Sequence, residues 1–273
     1  MADPGAHEAA VSGGEVLDPA RLPTFITIGA MKSGTSSLRR YLGAHPDVFT
    51  SRRKEPNFFN RHEPRGRPLE DYQELFAGGE EAAARGESSV NYTKRHMWPR
   101  AAERIARTLP DVRLVVVLRD PIDRIRSHYR HSVAAGRATR PIDEDLERTD
   151  NYVLTSCYAW QLEAYLEHVD RARLHLVTAE RLRAEPDTVV AEICEHVGVD
   201  PSAAPPVAGE HHRSEDKEMP QLRERGPLGV RRDVDISGEM SERRVAWLRR
   251  RLMPEVRAIG RLLGDETDLW SLR

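Results

Sequence analysis

A strand, a polar loop and a helix follow one another near the start of the chain. The segment TFITIGA, residues 24–30, is an apolar run typical of a buried strand, and TSSLRRYLGAHP, residues 35–46, has the apolar spacing of a short helix. The loop between them supplies oriented N–H groups, and the helix N-terminus adds a partial positive charge. Units of this kind bind phosphate groups in α/β proteins, so the sequence predicts an anion site at this loop.

Further strands alternate with helices along the chain. The run VRLVVVL, residues 112–118, has no apolar–polar alternation and is typical of a central parallel strand; residues 172–182 predict another strand with an exit loop. Helices are predicted at 97–110, 122–136, 151–169, 186–199 and 241–264, and a long loop at 200–240. We therefore expect an α/β fold with a P-loop-like central parallel β-sheet flanked by helices on both faces.

Length and composition narrow the class of protein. The chain has 273 residues, which suits one domain, and we expect residues 1–22 to form a disordered tail and residues 23–273 a single domain. A formal net charge of -2 gives no basic excess for nucleic acid, and two cysteines without metal-binding spacing predict no metal. The N-terminus lacks signal-peptide features and no run reaches membrane-spanning length, so we expect a cytoplasmic enzyme without a membrane partner.

The loop from Gly29 to Ser36 departs from the Walker A pattern G-x-x-x-x-G-K-[ST]. Gly29, Gly34 and Ser36 match, but Thr35 stands at the lysine position and Lys32 lies inside the loop. In Walker A the lysine reaches the β and γ phosphates of a nucleoside triphosphate. A lysine three positions earlier approaches from another direction and meets a shorter ligand. The alternative is a strand-to-helix turn in which both glycines serve backbone geometry.

The segment IGAMKSGTSSLRRYLGAHPDV resembles the 5′-phosphosulfate-binding loop of sulfotransferases that use 3′-phosphoadenosine 5′-phosphosulfate (PAPS), above all the branch related to heparan sulfate sulfotransferases. The resemblance implies the sulfotransferase fold, PAPS as co-substrate, adenosine 3′,5′-bisphosphate (PAP) as product, and no metal. It also implies that Lys32 stabilises the leaving oxygen, and that the loop residues hold the 5′ end of the co-substrate: Lys32, Ser33, Gly34, Thr35 and Ser36.

The segment VVVLRDPIDRIRSHYRH is similar to the second motif of that family, in which an arginine and a serine eight residues later bind the 3′-phosphate. The resemblance gives these roles to Arg119 and Ser127. The chemistry agrees, because arginine offers a fork of donors to a phosphate and a helical serine adds a hydroxyl donor. A kinase would instead need an acidic metal ligand after a strand, for which Asp120 is the candidate.

The segment RRKEPNFF resembles the family's K-E-P-x-F-F sequence, whose glutamate is the general base, so Glu55 inherits that role. The alternative is a solvated carboxylate paired with its basic neighbours. Other sulfotransferase branches use a histidine as the base. The histidines in suitable segments are His45, His62, His96, His128 and His131.

The family's E-K-[ST]-P-x-Y-F sequence corresponds here to GESSVNYT, with Ser88 in place of lysine and Val90 in place of proline. The missing lysine favours a smaller or less charged acceptor, such as a natural product, lipid or simple glycan, over an anionic polysaccharide. The resemblance also suggests that Tyr158 lines the acceptor cleft, and that Lys217 or Arg213 closes over the adenosine phosphate.

The expected function is therefore transfer of a sulfuryl group from PAPS to a hydroxyl or amine of a small-molecule or glycan acceptor. Two alternatives stay open at this stage. One is a P-loop kinase or NTPase that acts on a small molecule. The other is a nucleotide-binding module without catalysis, which the joint presence of Lys32 and Glu55 disfavours.

Overall fold

The computed structural model describes residues 18–60, 68–207, 236–264, 269–270 and 272, and the backbone of two short strands at 223–225 and 231–233. Its main sheet has five strands in the order β2-β3-β1-β4-β5, and every neighbouring pair is parallel. The strands are β1 (Phe25–Gly29), β2 (Val48–Thr50), β3 (Ala84–Ser88), β4 (Arg113–Leu118) and β5 (Leu174–Thr178). The strands β6 (Arg223–Arg225) and β7 (Arg231–Asp233) form a separate antiparallel pair.

Helices cover the main sheet on both faces, as predicted. The α-helices are α1 (Thr35–Leu42), α2 (Leu69–Gln73), α3 (Ala101–Thr108), α4 (Pro121–Ala134), α5 (Ile142–Arg148), α6 (Asn151–Ser156), α7 (Tyr158–Leu166), α8 (Ala179–Ala184), α9 (Pro186–Val197) and α10 (Glu242–Leu263). Because side chains alternate along a strand, Ile26 and Ile28 pack with α3, α4, α7 and α10, whereas Phe25 packs with α1 and α9. The two apolar clusters form the core on either side of the sheet.

Several elements differ from the sequence-based predictions. Residues 151–169 form α6 and α7 rather than one helix, because Cys157 has a ψ of 72 that interrupts the helical backbone. The expected exit loop after β5 is helix α8, whose first turn is capped by the Thr178 hydroxyl. The predicted loop at 200–240 contains the β6–β7 pair. Strand β3, ARGES, is too polar to be predicted and is defined by its pairing with β1 and β2.

Parallel topology brings four loops to the carboxyl edge of the sheet. Strand β1 lies between β3 and β4, so the loop after Gly29 is next to the loops that follow Ser88 and Leu118. The loop after β2 joins them, because the Glu55 N–H donates to the Ser88 carbonyl at 3.0 Å. Ligands of open α/β sheets bind at this edge, where the connections leave in different directions.

The division into a tail and one domain stays a prediction. Residues 1–17 lie outside the described part of the chain, while Pro19–Arg21 forms a single 3-10 turn capped by the Asp18 side chain.

Candidate active site

The loop after β1 has the backbone geometry of an anion cradle. Gly34 begins helix α1 with a φ of 98, a conformation that favours glycine. Gly29 is required for space, because a Cβ there would lie 2.2 Å from the Thr93 hydroxyl oxygen. The Ser33 Oγ is buried and has no hydrogen-bond partner in the described structure. An unpaired hydroxyl in a loop at a helix N-terminus is a donor available to a bound phosphate.

Lys32 lies in the middle of this loop and is half-buried. Its φ is 69, a left-handed backbone conformation that is uncommon for a residue with a side chain. Backbone strain of this kind is concentrated at functional sites, where the surrounding structure maintains it. The loop thus holds Lys32 in one backbone geometry between Gly29 and Gly34.

Arg119 and Ser127 line one cavity of about 430 Å³. Arg119 follows the last residue of β4, and Ser127 lies in the second turn of α4 with 5% exposure. Two further arginines, Arg126 and Arg130, line the same cavity together with Asp123 and Glu239. Three guanidinium groups around one cavity make it suitable for a phosphate.

Asp120 and Tyr158 have structural contacts. The Asp120 carboxylate accepts the N–H groups of Ile122 and Asp123 and so caps helix α4, at 2.8 and 3.1 Å. Its carboxylate is thus committed to the helix N-terminus. Tyr158 was expected in the acceptor cleft, but it is 2% exposed and its hydroxyl donates to the Arg119 carbonyl at 2.8 Å. It therefore supports the backbone of Arg119 from within the core.

Glu55 is held by the residues that follow β3. The Val90 N–H donates to Glu55 Oε2 at 2.9 Å, and the Glu55 side chain is 29% exposed. Burial raises the pKa of Glu55 above its ordinary value, although the Val90 N–H and the positive charges of Lys54 and Lys94 act in the opposite direction. A half-buried carboxylate whose pKa is raised is better suited to accept a proton than a solvated one.

Lys54 connects Glu55 with the loop after β1. Its ammonium donates to Ser36 Oγ at 2.5 Å and lies 4.0 Å from Glu55 Oε1. Ser36 is in the first turn of α1, so one lysine contacts both the predicted phosphate loop and the predicted base. From the sequence, Lys54 was only one of the basic neighbours of Glu55.

Lys94 is a further cation that sequence reasoning missed. It is 6% exposed, and its ammonium makes no hydrogen bond or ion pair within the described part of the chain. Burial lowers its pKa to about 8; the charges of Arg124 and Arg137 lower it further and that of Glu55 raises it. The signal in the sequence was the rarity of lysine, because Lys94 is one of four in the chain.

The histidines have other contacts. His45 bonds the Asp200 carbonyl at 2.8 Å and His96 bonds Asn151 Oδ1 at 2.9 Å. His128 receives a hydrogen bond from Arg124 at 3.2 Å, and burial together with the Arg124 charge holds its pKa far below the ordinary value. His131 is exposed on α4, and His62 lies outside the described residues, as do Arg213 and Lys217. Glu55 is therefore the candidate base with the most suitable surroundings.

Comparison with known proteins identifies the family. The sequence profile described as "Sulfotransferase domain" matches residues 22–221, well over half of the chain. The chain belongs to this family. The match also decides between a sulfotransferase and a P-loop kinase, and agrees with the family that the sequence motifs indicated.

Individual relatives extend the comparison. The sulfotransferase domain is 30% identical over 190 residues to heparan sulfate glucosamine 3-O-sulfotransferase 3B1 of Mus musculus, covering 66% of this chain and 47% of the relative. It is 31% identical to heparan sulfate glucosamine 3-O-sulfotransferase 3A1 of Homo sapiens, with 66% and 45% covered. Among solved structures, a sulfotransferase from Alicyclobacillus acidocaldarius has a TM-score of 0.69 and 27% identity, covering 89% of this chain and 96% of that one.

Two further facts concern the matched length of the relatives and the character of the helices. The chain matches about half the length of these curated relatives, so their substrates are not transferred to it directly. Within the residues that the structure describes, none of the helices is long and apolar enough to cross a membrane.

Proposed function

We propose that this sulfotransferase domain transfers a sulfuryl group from PAPS to a hydroxyl of a small-molecule or glycan acceptor and releases PAP. The observation that carries the proposal is the position of Lys54, whose ammonium contacts Ser36 of the phosphate loop and lies 4.0 Å from Glu55. One cation thus joins the region expected to hold the donor to the group expected to activate the acceptor.

The residues present fit PAPS at both of its charged ends. The loop after β1 offers the buried, unpaired Ser33 hydroxyl, the helix N-terminus at Thr35 and the Lys32 ammonium to the 5′-phosphosulfate. The cavity lined by Arg119 and Ser127 offers donors to the 3′-phosphate. Because β1 and β4 are neighbours, with the Ala30 N–H bonded to the Val117 carbonyl at 2.7 Å, the two sites share one edge of the sheet.

Each residue has a distinct part in the proposed transfer. Glu55 takes the proton of the acceptor hydroxyl as its oxygen attacks the sulfur of the donor. Lys32 stabilises the negative charge that develops on the oxygen bridging sulfur and phosphorus as the bond between sulfur and this oxygen breaks, which leaves the oxygen on the phosphate of PAP. The Lys54 ammonium lies between the two, in contact with Ser36 and near Glu55. Reactions of this type are catalysed mainly by positioning and electrostatic stabilisation, because the group is transferred without a covalent bond to the protein.

Lys94 broadens the proposed class of acceptor. Ser88 replaces a family lysine, but the buried Lys94 ammonium interacts with Glu55 from the loop after β3. A buried ammonium repelled by two arginines gains from a negatively charged group that binds beside it. We therefore propose that acceptors with an anionic group near the reacting hydroxyl bind more tightly than neutral ones.

The donor site is tested by thermal unfolding. A ligand at a hundred times its dissociation constant stabilises a protein by about 2.7 kcal/mol, which at roughly 2–4 °C per kcal/mol raises Tm by about 5–11 °C. We expect PAP to give this shift without Mg²⁺, and Arg119→Ala to weaken PAP binding about 30-fold or more through the loss of charge-assisted bonds. ADP lacks the 3′-phosphate, so its binding should be the same in both proteins. A shift with ATP and Mg²⁺ alone would contradict the proposal.

Lys94 gives a prediction about pH. Lys94→Met should raise the KM for an anionic acceptor about 30-fold, because removing one partner of a buried charge pair costs about 2 kcal/mol or more. In the unchanged protein the advantage of the anionic acceptor should be lost as the pH rises through about 8, where Lys94 loses its charge. Lys94→Arg should keep the advantage at higher pH. Initial rates with a carboxylated and a neutral oligosaccharide measure this, and equal KM values for both would contradict the assignment.

A further inference from the structure

Glu87 is a buried carboxyl group that the proposed transfer does not use. It lies near the end of β3 and is 1% exposed. The hydroxyls of Tyr72 and Tyr92 donate to its Oε1 at 2.7 and 2.9 Å, and the Ser89 hydroxyl donates to its Oε2 at 2.7 Å. Three donors therefore converge on one carboxylate in the core, and Tyr72 and Tyr92 belong to separate segments of the chain.

One of these donors leads to the Glu55 loop. The Ser89 Oγ that donates to Glu87 also accepts the Asn57 N–H at 3.1 Å. Both Glu55 and Asn57 have left-handed backbone conformations, with φ values of 56 and 53. Such conformations persist only where surrounding contacts maintain them. The contact from Ser89 to Asn57 is therefore one of those that hold the backbone on either side of Pro56.

We propose that Glu87 is a positioning residue for the general base: through Ser89 and Asn57 it holds the strained loop that presents Glu55 to the acceptor. This inference rests on the proposed function for the role of Glu55, but not for the hydrogen bonds that link Glu87 to the loop. Glu87 itself touches neither donor nor acceptor.

The protonation of Glu87 changes this link. The carboxylate accepts from all three hydroxyls. When a proton is added to Oε2, that oxygen must donate, and its neighbour is the Ser89 Oγ. The Ser89 Oγ then accepts from both Glu87 and the Asn57 N–H, and its own hydroxyl hydrogen, which is fully buried, loses Glu87 as its acceptor. The ionised form therefore supports the loop better than the protonated form.

The surroundings of Glu87 bring this change into an ordinary pH range. Burial raises its pKa to about 7; the hydroxyls of Tyr72, Ser89 and Tyr92 oppose the rise, and the charge of Glu55 adds to it. Among the described residues, Tyr165 of α7 also interacts with it, and the Glu87 charge helps to raise the pKa of Tyr165. Order in the Glu55 loop should thus increase as the pH rises through about 7.

Amide hydrogen exchange tests the inference without any assay of transfer. In the full chain, exchange of the peptide spanning residues 52–60, corrected for intrinsic rate, should be faster below pH 7 than above it. Glu87→Gln should speed exchange there about tenfold at pH 8 and remove the pH dependence. Helix α9 should be unaffected. Ser89→Ala, which leaves the tyrosine hydrogen bonds to Glu87 intact, should also speed exchange of residues 52–60. It provides the test if Glu87→Gln folds poorly.

A matched variant separates support of the loop from general destabilisation. Tyr72→Phe removes one bond that lowers the pKa of Glu87, so the transition should move above pH 7 and not disappear. With an active acceptor, the dependence of kcat on pH should shift in the same direction as the exchange of residues 52–60. PAP binding should change less than twofold. Unchanged exchange at residues 52–60 in both Glu87→Gln and Ser89→Ala would overturn the inference, whether or not the protein binds PAP. Failure of the unchanged protein to bind PAP would instead count against the proposed function alone.

Discussion

Replacement of Lys32 by alanine is expected to lower kcat for sulfuryl transfer by about 10²–10³-fold, the usual cost of removing one group that stabilises charge in a transition state. Lys32 is half-buried in the loop after β1, so the fold should persist. The dissociation constant for PAP should change by less than about tenfold, because the 3′-phosphate site and the loop amides remain. The measurement is transfer of labelled sulfur from PAPS, combined with thermal unfolding in PAP.

A control for Lys32→Ala is available in helix α1, which follows the loop that carries Lys32. Arg40 is an exposed cation of α1 that packs over the Tyr41 ring at 5.8 Å. Arg40→Ala removes a positive charge that lies outside the candidate site, and it should leave kcat within about twofold. Unchanged turnover in Lys32→Ala, or an equal loss in both variants, would exclude a specific role for Lys32 at the leaving oxygen.

Glu55→Gln is expected to lower kcat by about 10²–10⁴-fold, which is the range for loss of a positioned general base. The amide keeps the size of the side chain and still accepts the Val90 N–H, so the loop geometry should survive. PAP should bind as before. This variant therefore separates chemistry on the acceptor from binding of the donor.

The pH profile gives a second test of Glu55. A base must be ionised, and burial raises the pKa of Glu55, so kcat/KM should fall as the pH drops through a value above 4.5. In Glu55→Gln the residual rate should lack this dependence. Glu163→Gln, at an exposed carboxylate of α7, is the matched control and should keep the full profile. A surviving acid limb in Glu55→Gln would assign the base elsewhere.

Much of the architecture followed from local pattern. The apolar run of β4 lacks alternation because both faces of the sheet are covered, and helices α1, α4, α9 and α10 begin or end near the Gly, Pro and Ser signals that predicted them. Strands β2 and β3 carried no such signal. The pairing of β3 with β1 and of β2 with β3 supplies what the polar segment ARGES and a three-residue strand lack locally.

The sequence by itself determined the class of fold. It also predicted the candidate site residues Lys32, Arg119, Ser127 and Glu55, because each belongs to a short segment whose residue order is informative. Only the tertiary structure showed that Lys54 contacts both Ser36 and Glu55, that Lys94 is buried and interacts with the Glu55 carboxylate, and that Glu87 is linked to the Glu55 loop through Ser89. These residues lie on different strands and loops. They meet because parallel strands end at one edge, and burial changes their proton affinities only once the chain has folded.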